Sequence, residues 1–396
     1  MEAGIKSCVF VINHRKKIFQ IFTNQNVFKK SHQNGKGKGI TKPTQYKNSN
    51  DKIKEESKDL SLFHFTQQNY KNHEIGIVCK AINNPRFDCF MISAFQCLLC
   101  IPEFSSSFNE KQDMKAGNLK NNTNCRGEVC KALKHLVSSY FDVSSSPIDL
   151  CQIRECFEEE FPSSHQHDSL QFILDLFEAI KKEENPSKLE VKSNHYQNYK
   201  NAWEEYTKNN FSIVDKLFFG MYETKYDCTS CRKKLKVYEE FNHVPLICDR
   251  ENPKIGFDEF LNLEYQSSQR TFKCKHCSKT CPCTITKRII KYPKYLIMAF
   301  QRLNLTTMTK INTPMPYKPS FTLKTPSKVP ITYNLHSFIS HTGALHSGHY
   351  TATRKHTSGW LHFNDHKFRP VKFAPGSKIV KNMYILFYKT ESNCDI

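Results

Sequence analysis

The ten residues His341-Thr342-Gly343-Ala344-Leu345-His346-Ser347-Gly348-His349-Tyr350 decide how this chain is read. Gly348 precedes His349, and its missing Cβ lets the backbone come close to a bound chain. The residues from His349 to Thr353 alternate as a strand does, so the imidazole sits at a strand start with Tyr350 beside it. Fifteen residues after His349 the run Trp360-Leu361-His362-Phe363-Asn364-Asp365 brings an amide and a carboxylate to the end of a second strand. Either group can orient an imidazole. In a regular strand successive side chains point to opposite faces, so only one of the two would address His349.

An oriented imidazole needs a nucleophile to serve, and working back along the chain the candidate is Cys89. Pro85 suits the entry to a helix, and the nearly unbroken apolar run Cys89 to Leu99 predicts a buried one. Cys89 opens that helix, where the free N–H groups and the macrodipole favour a thiolate. Asn84, five residues upstream, offers an amide to an oxyanion formed by attack on a carbonyl. Alone, a cysteine on an apolar helix or one histidine among 17 is usually structural. Together the pieces have the order nucleophile, base, orienting group.

The rest of the chain supplies a fold around them. Its 396 residues, 38% hydrophobic, include 30 Phe and 17 Tyr, enough for a sizeable core and incompatible with a wholly disordered chain. Residues 1–74 combine a short apolar patch with a Lys/Gly/Asn/Gln stretch lacking any helical or strand period and are expected to be a basic, disordered extension. Residues 75–390 form one apolar-rich block, followed by a tail at 391–396. Within the block, a helix after Ser163 and Ser164 places Leu170, Ile173, Leu174, Phe177 and Ile180 on one face, with Gln166, His167, Asp168 and Gln171 on the polar side. From Phe211 onward short alternating runs predict strands: Leu235/Val237, Thr284 to Ile290, Tyr295 to Phe300, Leu335 to Ile339, Trp360 to Phe363 and Met383 to Tyr388. Helices first and sheet later is the α+β order.

No apolar run approaches the 18 or so residues needed to span a bilayer, and the run Cys8 to Ile12 is too short for a signal peptide, so the chain is expected inside the cell, in cytoplasm or nucleus. There its 17 cysteines are expected as thiols, metal ligands or a nucleophile rather than as disulfides. Three C-x-x-C pairs occur. Cys97/Cys100 falls in the buried helix and reads as core. Cys228/Cys231 and Cys274/Cys277 lie between strand-like runs and have the knuckle layout of a zinc ribbon, four thiolates around one structural zinc. Cys274, Cys277, Cys281 and Cys283 offer a local alternative. The net charge of +20 invites a nucleic-acid reading, but only 14 of the 58 basic residues fall in the first 76, and the excess is spread along the chain. A solvated Lys-rich surface fits better than nucleic-acid binding.

These features resemble the ubiquitin-specific proteases, papain-like cysteine deubiquitinases. The family's cysteine box is similar to Pro85-Arg86-Phe87-Asp88-Cys89-Phe90-Met91-Ile92-Ser93-Ala94-Phe95-Gln96-Cys97-Leu98, and its Gln-rich box to Gln166-His167-Asp168-Ser169-Leu170-Gln171-Phe172. The stretches around Ala202-Trp203, Leu217-Phe218-Phe219-Gly220 and Pro293-Lys294-Tyr295-Leu296-Ile297 are also family-like, and the histidine box H-x-G-x4-G-H-Y matches His341 to Tyr350 throughout. The resemblance implies a helical thumb, a β-rich palm and zinc-tipped fingers inserted at about 220–285. It implies hydrolysis of the bond after ubiquitin's C-terminal glycine, with ubiquitin and ubiquitinated proteins as partners. Residue by residue it implies Cys89 as nucleophile, His349 as general base, Asn364 as orienting residue with Asp365 as possible substitute, and Asn84 as oxyanion donor. Asp168 matches the position that meets ubiquitin's basic tail, and Tyr350 flanks the cleft. Cys228, Cys231, Cys274 and Cys277 match the zinc ligands.

The chain departs from the family at three places. Arg86 stands where a glycine is usual, so the loop is expected to lose a left-handed conformation. Asp88 puts a carboxylate beside the thiol, which opposes thiolate formation unless a cation such as Arg86 offsets it. Gln171 replaces a glutamate and removes one charge from the tail-binding side. A ubiquitin-binding relative that does not cut is therefore the alternative function, and capture by an electrophilic ubiquitin probe separates the two.

Overall fold

The apolar run after Pro85 forms helix α1 (Cys89–Leu98), all ten residues of which are buried, so this helix is the centre of the core rather than an amphipathic surface element. The computed structural model describes residues 79–109, 127–142, 148–185, 198–248, 268–304, 307–324, 329–345, 347–373, 379–380 and 382–392. The chain separates into two units, Met1–Asn69 and Tyr70–Ile396, and every described residue belongs to the second. The extension expected over 1–74 lies outside the described residues.

Six further helices follow α1 in the first part: α2 (Pro102–Ser107), α3 (Glu128–Phe141), α4 (Cys151–Cys156), α5 (Ser169–Glu184), α6 (Tyr199–Asn209) and α7 (Ile213–Phe218). Helix α5 turns inward the face its spacing suggested, rotated toward Phe172 and Leu176. Phe172, Ile173, Leu176, Phe177 and Ile180 are buried while Leu170 and Leu174 are only half-buried. Aromatic contacts decide this: Phe172 packs edge-on against Phe90, Phe95, Phe157 and Phe161, which pulls its side of the helix to the core. Helix α7 was not expected among the strands. It is fixed by a capping box, in which Ser212 and Asp215 each satisfy the other's backbone N–H.

Two main sheets follow. The first runs β2 (Lys234–Phe241), β1 (Gly220–Cys228), β5 (Thr280–Lys291), β4 (Ser268–Lys273), all antiparallel. The larger one has eight strands: β3 (Val244–Ile247), β6 (Tyr295–Gln301), β7 (Ser320–Lys324), β8 (Pro330–Gly343), β9 (Gly348–His356), β10 (Gly359–Asn364), β11 (Lys367–Val371) and β12 (Met383–Thr390). Their order is β11-β10-β9-β8-β12-β6-β3, with β7 on the side of β8, and only β3–β6 is parallel. Every strand expected from the sequence lies within one of these. One face of the large sheet packs on α1 and its neighbouring helices, and the other builds a second core around Tyr333, Met298 and Leu386. The α+β architecture is that of a helical layer against a mostly antiparallel sheet, with a separate four-stranded sheet that falls in sequence between the helices and most of the large sheet.

The seam between α1 and β9 positions the site. Arg354 on β9 is 1% exposed; its guanidinium donates to the Gln96 carbonyl at 3.4 Å and to the Tyr140 hydroxyl at 3.1 Å and lies over the Phe363 ring at 4.6 Å. A buried arginine satisfied in this way locks the strand that carries His349 to the helix that carries Cys89.

Candidate active site

Cys89, His349, Asn364, Asp365 and Asn84, separated by up to 281 positions in sequence, meet at the N-terminus of α1. His349 Nε2 donates to Asn364 Oδ1 at 2.7 Å, which leaves Nδ1 for the thiol of Cys89. Hydrogen bonding to Cys89 is the largest cause that raises His349 to about 9; burial opposes it, and Asn364 and the Asp365 carboxylate reinforce it. The imidazole thus holds a proton at neutral pH between a thiol and an amide oxygen.

Asp365 also reaches the ring, with Oδ2 3.9 Å from His349 Nε2. The expectation that only one of Asn364 and Asp365 faces His349 assumed a regular strand, and the strand ends here. Asn364 pairs with Lys367, so Asp365 and His366 form a two-residue hairpin loop, and Asp365 takes φ +50°. The left-handed turn swings its carboxylate to the same side as the preceding amide. That carboxylate also accepts from Asn84 Nδ2 at 3.1 Å, while Asn84 Oδ1 accepts the Asp88 N–H at 3.0 Å. The loop that leads into α1 is thereby tied to the β10–β11 turn.

Asp88 occupies the N-cap position of α1 but makes no cap with its side chain. Its carboxylate turns to Arg154 of α4, 3.2 Å away, both side chains at most 6% exposed. Burial pushes the Asp88 carboxyl up and Arg154 is the largest influence holding it down, with Arg86 a lesser one. The cation that offsets Asp88 is therefore chiefly Arg154. Nothing local announced it, since Arg154 lies 66 residues from Asp88 in a short six-residue helix. Arg86 carries no left-handed strain: it is absent from the described residues with positive φ.

Asp168 is the N-cap of α5, its Oδ1 accepting the Gln171 N–H at 2.9 Å. Its Oδ2 accepts from two tyrosine hydroxyls, Tyr350 at 3.3 Å and Tyr384 at 2.8 Å. Tyr384 was not singled out in sequence, being one aromatic in an apolar closing strand. Burial raises the Asp168 carboxyl and these hydrogen bonds hold it down. Gln171 donates to both oxygens of Asp175 at 2.9 Å, so the charge missing at position 171 stands one turn further along α5. Gln166 accepts the Gly348 N–H at 2.6 Å, linking the loop before α5 to the strand before His349.

Gly348 is also required by the fold itself. A Cβ there would come within 2.6 Å of the Thr342 carbonyl and closer still to the His341 ring, which stacks on Tyr350 at 4.3 Å between centroids. The space above this glycine is taken by its own neighbouring strand. Burial, with Lys310 and Arg302 adding to it, lowers His341 to about 4, so this ring is neutral packing.

The remaining cysteines gather at the tip of the smaller sheet. Cys228, Cys231, Cys274 and Cys277 hold their sulfurs within 4.8 Å of one another and form a cluster able to bind a metal ion. The two C-x-x-C turns are conformational twins. In each, the residue after the second cysteine is left-handed, Arg232 and Ser278 both at φ 56°, and its N–H donates to the carbonyl of the first cysteine at 3.0 and 2.8 Å. For a tetrahedral ion with metal–sulfur bonds of roughly 2.3 Å, the sulfurs stand about 3.8 Å apart. Cys231 to Cys274 at 3.7 Å and Cys228 to Cys277 at 4.0 Å fit that edge. Cys281 and Cys283 join through Cys228 rather than through the second turn, so the local four-cysteine alternative is not the set the fold assembles. Cys97 and Cys100 are buried in the core, as expected.

A buried helix presenting a thiol to an imidazole, itself oriented from a strand end, is the layout of the papain-like cysteine peptidases. Residues 81–388 match the model of the ubiquitin carboxyl-terminal hydrolase family, and the chain belongs to that family. Among curated relatives it is 25% identical over 364 residues to ubiquitin carboxyl-terminal hydrolase 4 of Vanderwaltozyma polyspora, which covers 78% of this chain and 40% of the relative. It is 24% identical over 351 residues to the protein of the same name from Saccharomyces cerevisiae, covering 76% and 38%. The chain thus spans about two-fifths of the length of these relatives. Solved structures with the same fold include a SAGA DUB module bound to monoubiquitin, TM-score 0.61 and 19% identity over 84% of this chain and 74% of that one. Another is the SAGA Ubp8/Sgf11/Sus1/Sgf73 DUB module bound to ubiquitin aldehyde, TM-score 0.62 and 20% identity over 81% and 71%.

Proposed function

We propose that this chain is a thiol-dependent deubiquitinase that hydrolyses the isopeptide or peptide bond after the C-terminal glycine of ubiquitin on conjugated proteins. The observation that carries the reading is the imidazole of His349 held between Cys89 and Asn364, with 2.7 Å to the amide oxygen. In this mechanism the proton of Cys89 already resides on His349 Nδ1, and Cys89 Sγ attacks the glycine carbonyl carbon. The carbonyl oxygen becomes an oxyanion facing the N-terminus of α1 and the Asn84 amide. Collapse expels the lysine amine, which takes the proton from the imidazolium, and leaves a thioester on Cys89. Water then attacks the thioester with His349 as base, releasing the ubiquitin carboxylate and the free thiol. Asn364 keeps the ring in register throughout, and Asp365 steadies both the imidazolium and Asn84.

On the substrate side, Asp168 and Asp175 offer negative charge to a basic tail, with Tyr350 and Tyr384 fixing the first of them. Cys228, Cys231, Cys274 and Cys277 fit one structural zinc, which would supply cross-linking of the two turns and no chemistry at Cys89. A chain with 17 cysteines, four of them gathered as one metal-binding set, fits a reducing location, cytoplasm or nucleus. Among the described residues no helix is long and apolar enough to cross a membrane.

The test is labelling by ubiquitin bearing a C-terminal electrophile, alongside release of a C-terminal fluorophore. The full chain should form a covalent adduct, and Cys89→Ser should abolish turnover while ubiquitin affinity stays within about tenfold. Absence of adduct in a folded chain that still binds ubiquitin would support the binding-only alternative.

A further inference from the structure

The four-cysteine set leaves two buried thiols unexplained. Cys281 is 9% exposed and Cys283 1%, and they sit two residues apart on β5, so the pleat aims both sulfurs to the same face. Cys228 is the cross-strand register partner of Cys283. Its sulfur lies 3.3 Å from that of Cys281, and the sulfurs of Cys228, Cys281 and Cys283 fall within 4.8 Å of one another. Ordinary core packing explains them poorly. The apolar cluster at this tip consists of six cysteines and the single ring of Phe272, whereas the other clusters among the described residues are mostly aliphatic and aromatic side chains. Thiols are small hydrophobes with weak donors, and six of them bury little area. A small cavity of about 10 Å3 lies next to Cys228, Cys274 and Cys283, on a side that Cys281 does not line.

We propose that the tip is a two-ion thiolate cluster: one ion held by Cys228, Cys231, Cys274 and Cys277, and a second thiophilic divalent ion held by Cys281, Cys283 and the sulfur of Cys228, which bridges the two. The inference rests on the structural-zinc reading above. The 3.3 Å separation of Cys228 from Cys281 is shorter than the roughly 3.8 Å edge of a tetrahedron of thiolates and far longer than a disulfide, so a small adjustment seats both on one ion. Loading both ions releases six thiol protons and leaves six thiolates against two divalent cations, a net charge of −2 facing Lys233 and the neighbouring lysines of the turns. Three protein sulfurs leave the second ion one position for water or an external ligand, whereas the first set is closed.

The experiment is anaerobic titration of metal-free full chain with cadmium(II), followed by thiolate-to-metal absorption, together with zinc content of the protein folded in zinc. Absorption should rise through two equivalents per chain and the zinc content should be two. Cys281→Ala and Cys283→Ala should each bring both values to one, and that remaining ion should resist chelation as the first ion does in the parent. Saturation of the unaltered chain at one equivalent, unchanged by Cys281→Ala, would overturn the second site while leaving the four-thiolate zinc intact. Saturation at zero would overturn both. The titration of the unaltered chain decides even where a variant does not fold.

Discussion

Replacing Asn364 or Asp365 by alanine separates two ways of holding His349. Asn364→Ala removes a 2.7 Å hydrogen bond to a ring that carries a proton at neutral pH. A hydrogen bond to a charged group contributes about 1.5–3 kcal/mol, which corresponds to a loss in kcat of roughly 10- to 150-fold if it is made fully in the transition state. Asp365→Ala removes a charge 3.9 Å from Nε2, but the His349 side chain is 41% exposed. Near the water limit a pair at that distance is worth about 1 kcal/mol, a loss of roughly fivefold. The variant also frees the Asn84 amide from its acceptor, which loosens the loop before Cys89. Asn364→Asp keeps an acceptor in place and should retain appreciable activity. The assay is kcat and KM for release of a fluorophore from the ubiquitin C-terminus, with thermal denaturation to confirm that each variant folds. A greater loss at Asp365 than at Asn364 would refute the assignment and make the carboxylate the principal orienting group.

Five further outcomes are expected. The proton on His349 should persist to about pH 9, so kcat/KM should hold through neutrality and fall on the alkaline side; Asp365→Asn removes a charge that raises this value and should move that limb to lower pH, and an unmoved limb would count against the contact. Because the folded value lies above the usual 6.5, the proton's contribution to stability is complete below about pH 6.5 and fades as pH rises toward 9, which denaturation against pH can follow. Arg154→Met leaves Asp88 buried without its cation and should destabilise the fold by about 3–5 kcal/mol, with recovery in the Asp88→Asn/Arg154→Met double variant; equal stability of single and double variants would contradict the pairing. Gly348→Ala forces a methyl into the Thr342 carbonyl and His341, so it should lower the melting temperature and the activity together, by about 1–3 kcal/mol in stability. Cys231→Ser and Cys274→Ser should each reduce zinc content and thermal stability, and full zinc retention in both would remove these residues from the ligand set.

Cys89, His349, Asn364, Asp365 and the four clustered cysteines were legible in sequence because each belongs to a short run whose local geometry is nearly self-determined. A proline-led apolar run makes a helix whose first residue is Cys89, an alternating run after Gly348 makes a strand whose first residues include His349, and C-x-x-C makes a turn. Periodicity also gave seven of the strands, β2, β5, β6, β8, β9, β10 and β12, but not β1, β3, β4, β7 or β11. It placed the buried face of α5 only to within a rotation, burying Ile173, Phe177 and Ile180 as expected but missing Phe172 and Leu176, because a 3.6-residue pattern tolerates rotation until neighbouring rings fix it, and here Phe172 meets four other aromatic side chains. Tertiary structure alone decided the rest. Arg154 meets Asp88 across 66 residues, Tyr384 meets Asp168 across 216, and Asn84 meets Asp365 across 281. Such partners leave no mark in a window of ten residues, since burial of a charge becomes costly only after the chain has closed around it, and its partner is whatever polar group the closed fold brings within reach. The same holds for Asp365: the order of two residues in sequence says that they alternate, and only the left-handed hairpin turn at φ +50° brings both to one imidazole.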